Sequence, residues 1–315
     1  MMKAELNRRS FMKASLATTA AMAMLPGGRA AADAPAVPPA APAAGGGLPQ
    51  GRLGKLSISR ILLGGNLLTH FTHSRDLKYV YNLAAHYNTP EKILETLAVA
   101  EQNGVNTLVI HTVPQALGVL AKHRKQGGRM QWIICTTALM EPGMKAYGES
   151  IKEMVDMGVD AMYVWGVHAD TMVGEGKADL IARAVELIQA QRIPAGIGAH
   201  QLPVIVECEK RKIPADFYIK TFHHDRYPTA KLNYDSSWCQ NSAEVIEVMK
   251  TVEKPWFAFK VMAAGAIPPD NAFRYAFENG ADHVLAGMFD FEIAEDVGIA
   301  SKILANVKRT RPWRS

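Results

Sequence analysis

Cysteine is scarce, and what there is excludes two kinds of architecture. Cys135, Cys208 and Cys239 are the only three in 315 residues. None of them has the CxxC spacing of a thiolate zinc site, and three cysteines, one of them inside an apolar run, give no disulfide framework. Close-spaced metal motifs are missing too, since the ten histidines form neither HxH nor HExxH. No apolar run approaches the roughly 20 residues needed to span a bilayer. An excess of one charge is also lacking once the ends are considered separately. The chain has 35 Lys and Arg against 30 Asp and Glu, but Lys3, Arg8, Arg9, Lys13 and Arg29 precede residue 33 against the single acid Glu5. The remainder is nearly neutral and has no basic stripe, which argues against nucleic acid as a partner.

The N-terminus reads as a targeting segment. Asn7-Arg8-Arg9-Ser10-Phe11-Met12-Lys13 pairs two arginines ahead of an aromatic, an apolar residue and a lysine, and a mildly apolar run follows from Ala14 to Leu25. With Ala30-Ala31-Ala32 as a small-residue cleavage site, residues 1–32 are expected to be a twin-arginine signal peptide. The expected partner during export is the twin-arginine translocon, and the destination is the periplasm. The run is too short to stay behind as a stable membrane anchor. Residues 33–50 are almost entirely Ala, Pro and Gly, a composition expected to form a disordered tether. That leaves 51–315 for the folded domain.

Within it, short apolar runs alternate with amphipathic segments. The runs are Ile61 to Gly65, Thr107 to His111, Trp132 to Thr136, Ala161 to Val167, Ala195 to Ala199, Phe217 to Phe222, Trp256 to Val261 and His283 to Ala286. Eight such runs in this length predict an α/β protein, a single-domain (β/α)8 TIM barrel. Helix signals fall between them. Thr89 is placed to cap a helix with Pro90 in its first turn, and Gly104 stops it; similar helices are expected over 148–157, 179–191, 242–252 and 269–279. Two long loops, 66–88 and 223–241, follow strand ends and are expected to rim the catalytic mouth.

Arg52-Leu53-Gly54-Lys55-Leu56-Ser57-Ile58-Ser59-Arg60 with Leu62-Leu63-Gly64-Gly65-Asn66, the unit Glu95 to Thr112, Val159 to His168 and Ala195 to His200 together resemble the aldo/keto reductases. The resemblance implies a barrel with an active-site histidine at His168 and an NADP cofactor. It departs at the chemistry. His111 stands where the family has an acid, residues 112–117 supply no tyrosine, and Thr136 or Thr137 replaces the lysine. Segments 256–295 also resemble exported bacterial barrels of unassigned function.

His111, His168, His200 and His223 fall at or just after the ends of four strands. Neutral imidazoles on rigid strand ends can ligate a divalent metal, Zn, Mn or Fe, with Asp225, Glu207 or His224 completing the shell. Alternatively they act as acids, bases or substrate ligands without a metal. Lys260 and Lys220 lie in apolar strands, where desolvation makes a lysine a base or an imine-forming amine unless it is ion-paired, for Lys260 to Asp290 or Glu292. Gly265 and Gly287 follow the last two strands and either bring backbone N–H groups to an anionic cofactor or permit tight turns. His70 and His73 with Arg75 can fold over the mouth, and Tyr227 and Trp238 can form a platform for a sugar ring. The expectation is a periplasmic enzyme, a metal-assisted lyase, isomerase or hydrolase of a small polyhydroxylated or carbonyl substrate, with His168, Lys260 and His223 catalytic. A divergent NADP-dependent oxidoreductase and a non-catalytic ligand-binding barrel are the alternatives.

Overall fold

A computed structural model describes residues 48–230 and 234–315. The expected signal peptide and most of the tether lie outside these. The described chain opens with a hairpin, β1 (Gln50–Leu53) antiparallel to β2 (Leu56–Ser59), turning at Gly54 with φ 57°. Leu48 is buried and β1 starts at Gln50, so the folded domain begins slightly inside the expected tether. Eight parallel strands follow: β3 (Ile61–Gly64), β4 (Thr107–His111), β5 (Gln131–Cys135), β6 (Ala161–Val164), β7 (Ala195–Ala199), β8 (Phe217–Thr221), β9 (Trp256–Phe259) and β10 (His283–Ala286). They pair in chain order, and β10 returns to β3, closing the barrel.

Alternation along each strand divides the apolar residues between two cores. Leu62, Val109, Ile133, Ala161, Phe217, Ile219, Phe257 and Leu285 fill the barrel, and Leu53 and Ile58 of the hairpin pack against them. Their neighbours, among them Leu63, Leu108, Ile134 and Val284, face outward onto the helices. The helix Pro90–Gln102 begins where capping predicts: Thr89 Oγ1 accepts the Lys92 N–H at 3.3 Å, and Gly104 leaves the helix end at φ 82°.

A polar lock lies near the start of β10. Asp282 is fully buried and accepts hydrogen bonds from Trp256 N–H at 2.9 Å, Arg314 N–H at 2.8 Å and Arg311 Nη1 at 2.7 Å, with Arg309 Nη2 at 3.5 Å. The C-terminal segment is thereby tied to the barrel.

Strand ends at β3, β5 and β8 shift by one residue, and three larger changes bear on the site. The fourth strand ends at Val164 rather than Val167, because a helix, Gly166–Gly174, starts there. The first long loop contains a helix, Lys78–Tyr87. The seventh strand stops at Phe259, one residue before Lys260.

Candidate active site

A cavity of about 440 Å³ opens at the C-terminal ends of the strands, where parallel barrels expose loop-borne chemistry. Its apolar lining includes Phe71, Trp165, Trp238, Phe259 and Leu285, and its polar lining includes His73, His111, His200, Lys260, Glu292 and Asp296. The mixture suits a ligand with both hydrophobic faces and polar edges.

His200 follows β7 in the same alternation as Gly196 and Gly198, so its side chain turns inward. Its Nδ1 lies 2.7 Å from Asp170 Oδ2, while Asp170 Oδ1 accepts the backbone N–H of His200 at 3.2 Å and of Gln201 at 3.0 Å. A carboxylate only accepts, so Nδ1 carries the proton. Nε2 has no hydrogen-bond partner among the described residues and holds the available lone pair. Asp170 reaches this position from the helix Gly166–Gly174, which packs unusually close to β7. A Cβ on Gly198 would stand 2.9 Å from the Gly166 backbone nitrogen, so a side chain there would push the helix and its carboxylate away.

His111 ends β4. Its ring stacks on Trp165 at 6.3 Å and 17°, and meets Phe71 edge-on at 5.5 Å. Burial lowers its pKa, which keeps the imidazole neutral. Trp165, not His168, follows β6 into the cavity. His168 is in the first turn of the next helix, does not line the cavity, and leaves Nδ1 buried without a partner among the described residues.

Strict alternation would send Lys260 behind the sheet with Ala258. A left-handed backbone at φ 60° turns it into the cavity instead. Ala263, Ala264 and Gly265 continue the loop at φ 47°, 57° and 81°. Two of these are strained non-glycine positions beside the site. The Lys260 ammonium donates to Ser236 Oγ and lies between the rings of Trp238 and Phe259, 5.5 and 5.3 Å from their centres. Burial is the main cause of a pKa lowered to about 8, opposed by Asp235 and Asp170. The expected ion pair with Asp290 or Glu292 does not form: Asp290 bonds Tyr87 and Lys92, and Glu292 caps the Phe289 N–H. Lys220 faces away from the cavity and donates to the carbonyls of His200 at 2.7 Å and Thr221 at 2.8 Å.

The two long loops clasp one another over the mouth. Asp235 accepts the N–H groups of Ser74 and Arg75 at 2.7 and 3.1 Å, and Arg75 Nη2 donates to Thr229 O at 2.6 Å. Between them, Ser236 Oγ lies 3.2 Å from His73 Nε2. His73 is neutral, its pKa pushed down to about 4 by burial and by Lys260, so the Ser236 hydroxyl can accept from Lys260 and donate to His73.

His223 does not take part. Its Nε2 accepts the Cys239 N–H at 2.9 Å, which leaves Nδ1–H to donate to His224 O at 2.9 Å. Both ring nitrogens are occupied, and the imidazole belongs to the framework rather than to chemistry or a metal shell. His223→Ala is expected to lower unfolding free energy by about 1–3 kcal/mol through two orphaned backbone groups, with the shape of the pH–rate profile unchanged; urea titration and the profile together check this.

The four histidines expected to share a metal are spread over different surroundings. Among the described residues, no three or more His, Cys, Asp or Glu side chains are grouped to hold an ion. His111 and His200 share the cavity, His168 lies outside it and His223 is consumed. Of the expected completing ligands, Glu207 pairs with Arg211 and His224 bonds Asn271 and the Arg226 N–H, while Asp225 is exposed and does not line the cavity. Gly265 and Gly287 do line the cavity. Tyr227 turns to Arg75 and His223, leaving Trp238 as the member of the expected aromatic platform that faces it. Asp170, Ser236, Glu292 and Asp296 were not legible as site residues, because each lies on a helix or loop whose position depends on the closed barrel.

The model of the TAT (twin-arginine translocation) pathway signal sequence matches residues 5–24. The chain is exported by the twin-arginine pathway. Its destination is the periplasm, and no helix among the described residues is long and apolar enough to cross a membrane. No curated protein matches it. Solved structures do. A Pseudomonas aeruginosa protein assigned to the aldo-keto reductases has a TM-score of 0.56 at 14% identity, covering 81% of this chain and 95% of its own. A mutant of Gox0644 in complex with NADPH has a TM-score of 0.54 at 12% identity, covering 80% and 86%. A mandelate oxidase has a TM-score of 0.51 at 12% identity, covering 82% and 76%. These similarities establish the (β/α)8 barrel fold, and fold alone does not choose among chemistries.

Proposed function

We propose that the chain is a periplasmic enzyme that moves a proton at the carbon beside a carbonyl of a small polyhydroxylated substrate, as a lyase or isomerase. The observation that carries this is the Asp170–His200 pair, which leaves Nε2 free in a cavity shared with Lys260. His200 Nε2 takes the proton, and Asp170 fixes its tautomer and orientation. The Lys260 cation stabilises charge developing on the carbonyl oxygen. Neutral His111 is suited to hold a hydroxyl, and Trp165, Phe71 and Trp238 offer apolar faces to the carbon skeleton. None of these roles needs a metal ion, and among the described residues no three His, Cys, Asp or Glu side chains are grouped to hold one.

The direct test follows exchange of substrate C–H protons in D2O by NMR across a panel of ketoses and keto acids. Exchange of one proton beside a carbonyl, lost in His200→Ala, is expected. If no member of the panel exchanges, the proposal fails.

An NADP-dependent oxidoreductase is a second reading, favoured by the fold likeness to a protein bound to NADPH and by Gly265 and Gly287 on the cavity wall. The charged lining does not fit that cofactor. Glu292 and Asp296 face the same cavity, and burial with the neighbouring Glu292 and Glu295 raises Asp296 to about 7. Lys260 is the only Lys or Arg on the described lining, while a dinucleotide phosphate needs anion-binding groups along its length. NADPH fluorescence titration of the purified protein is therefore expected to show no saturable binding. A stoichiometric complex would restore the oxidoreductase reading.

A further inference from the structure

We infer that Lys260 is a nucleophile that condenses with the substrate's carbonyl to form an imine, an inference that rests on the proton-transfer reading above. Its placement supports more than a fixed positive charge. The side chain is brought into the cavity by a left-handed backbone that a lysine adopts only at an energetic cost, so its aim is imposed by the surrounding loop. Its amine lies between two aromatic rings and has no carboxylate within ion-pair distance among the described residues. Desolvation by burial favours the uncharged amine, which is the nucleophilic form, and outweighs the attraction of the two ring faces for the ammonium. Lys220, buried behind the adjacent strand, adds like-charge repulsion, while Asp235 and Asp170 act in the opposite sense. The resulting pKa of about 8 leaves a usable fraction of free amine near neutral pH.

The surroundings also provide for the protons. Lys260 donates to Ser236 Oγ, and Ser236 reaches neutral His73, giving an amine proton a path away from nitrogen. The nitrogen lone pair bonds to the carbonyl carbon as the C=O π pair moves to oxygen. That oxygen leaves as water with one N–H proton and one proton from the medium, and Lys260 is held as the iminium. His200 Nε2 then removes the proton from the adjacent carbon. The C–H electron pair becomes a C=C bond, and the C=N π pair settles on nitrogen as an enamine. No oxidant, reductant or further reactant is needed. The substrate class is thereby narrowed to aldehydes and ketones with a hydrogen on the adjacent carbon, and epimerisation without a carbonyl falls outside it.

The experiment uses the mature protein and each ketose or keto acid that exchanges its proton in D2O. The protein is mixed with that compound and sodium borohydride, digested, and its peptides are weighed by mass spectrometry. One reduced adduct on Lys260, dependent on the compound and saturating as its concentration rises, is expected. Lys260→Arg keeps the charge but cannot form the imine; it should abolish the adduct and slow exchange by about a hundredfold or more, with an unchanged circular dichroism spectrum. Ser236→Ala should slow adduct formation without changing the compound's KM. Exchange that continues with no adduct, an adduct on Lys220 instead, or wild-type exchange in Lys260→Arg would overturn the imine while leaving the proton-transfer function standing. Should Lys260→Arg fail to fold, trapping on the wild-type protein still decides. Absence of exchange with every compound removes the function and the imine together.

Discussion

His200→Ala is expected to lower turnover by about 10²–10⁴-fold with little change in unfolding free energy, because it removes the cavity imidazole that Asp170 holds in place. The loss should fall mainly on kcat, since the ring acts on the transferred proton rather than on the substrate's distant hydroxyls. Asp170→Asn separates positioning from chemistry. An amide can present its NH2 to Nδ1, which would move the imidazole proton to Nε2 and block the lone pair needed for proton removal. Asp170 also receives two backbone N–H groups, so part of the effect of this variant is a looser turn at His200 and Gln201. Rates and urea unfolding measured on both variants distinguish the two: His200→Ala should affect rate alone, Asp170→Asn both.

The largest stability effect is expected at the opposite end of the strands. Asp282→Ala removes the acceptor for Arg311 and Arg309, whose side chains are 1% and 7% exposed, and leaves two guanidinium groups buried against no carboxylate. Breaking a buried pair from one side costs about 3–5 kcal/mol, measurable as a fall in the urea midpoint. The exposed pair of Arg314 with Glu253, at 3.7 Å, provides the internal comparison: Glu253→Ala should cost under about 1 kcal/mol, with an effect that fades as salt rises. The Asp282 loss should be nearly indifferent to salt. If both variants respond alike, the buried lock is not contributing as the geometry implies.

The barrel was legible because its strands are continuous apolar runs covered on both faces, so run boundaries alone locate them. β4, β7 and β10 begin and end where the runs do. Boundaries slipped at β6, where Tyr163-Val164-Trp165 continues the apolar run although the strand ends at Val164 and a helix begins at Gly166. That slip misplaced His168 and concealed both Trp165 and Asp170. The β1–β2 hairpin was missed as a hairpin because two four-residue strands carry too little periodicity to stand out from a turn. At the site, alternation correctly turns His111 and His200 inward, but it assigns Lys260 to the wrong side of the sheet. Only a backbone in the left-handed region brings it back, and lysine itself gives no hint of such a conformation. Consumption of His223 by the Cys239 N–H likewise depends on a loop closing from 16 residues downstream.

Cys135, Cys208 and Cys239 are all free and buried. Burial pushes the Cys135 and Cys208 thiols up to about 12 and raises that of Cys239, so none ionises or reacts readily with oxidants. The barrel has no disulfide waiting to be made outside the cytoplasm. It reaches the same covalent state in the reducing cytoplasm as in the oxidising periplasm, and crosses between them with its maturation independent of disulfide-forming enzymes.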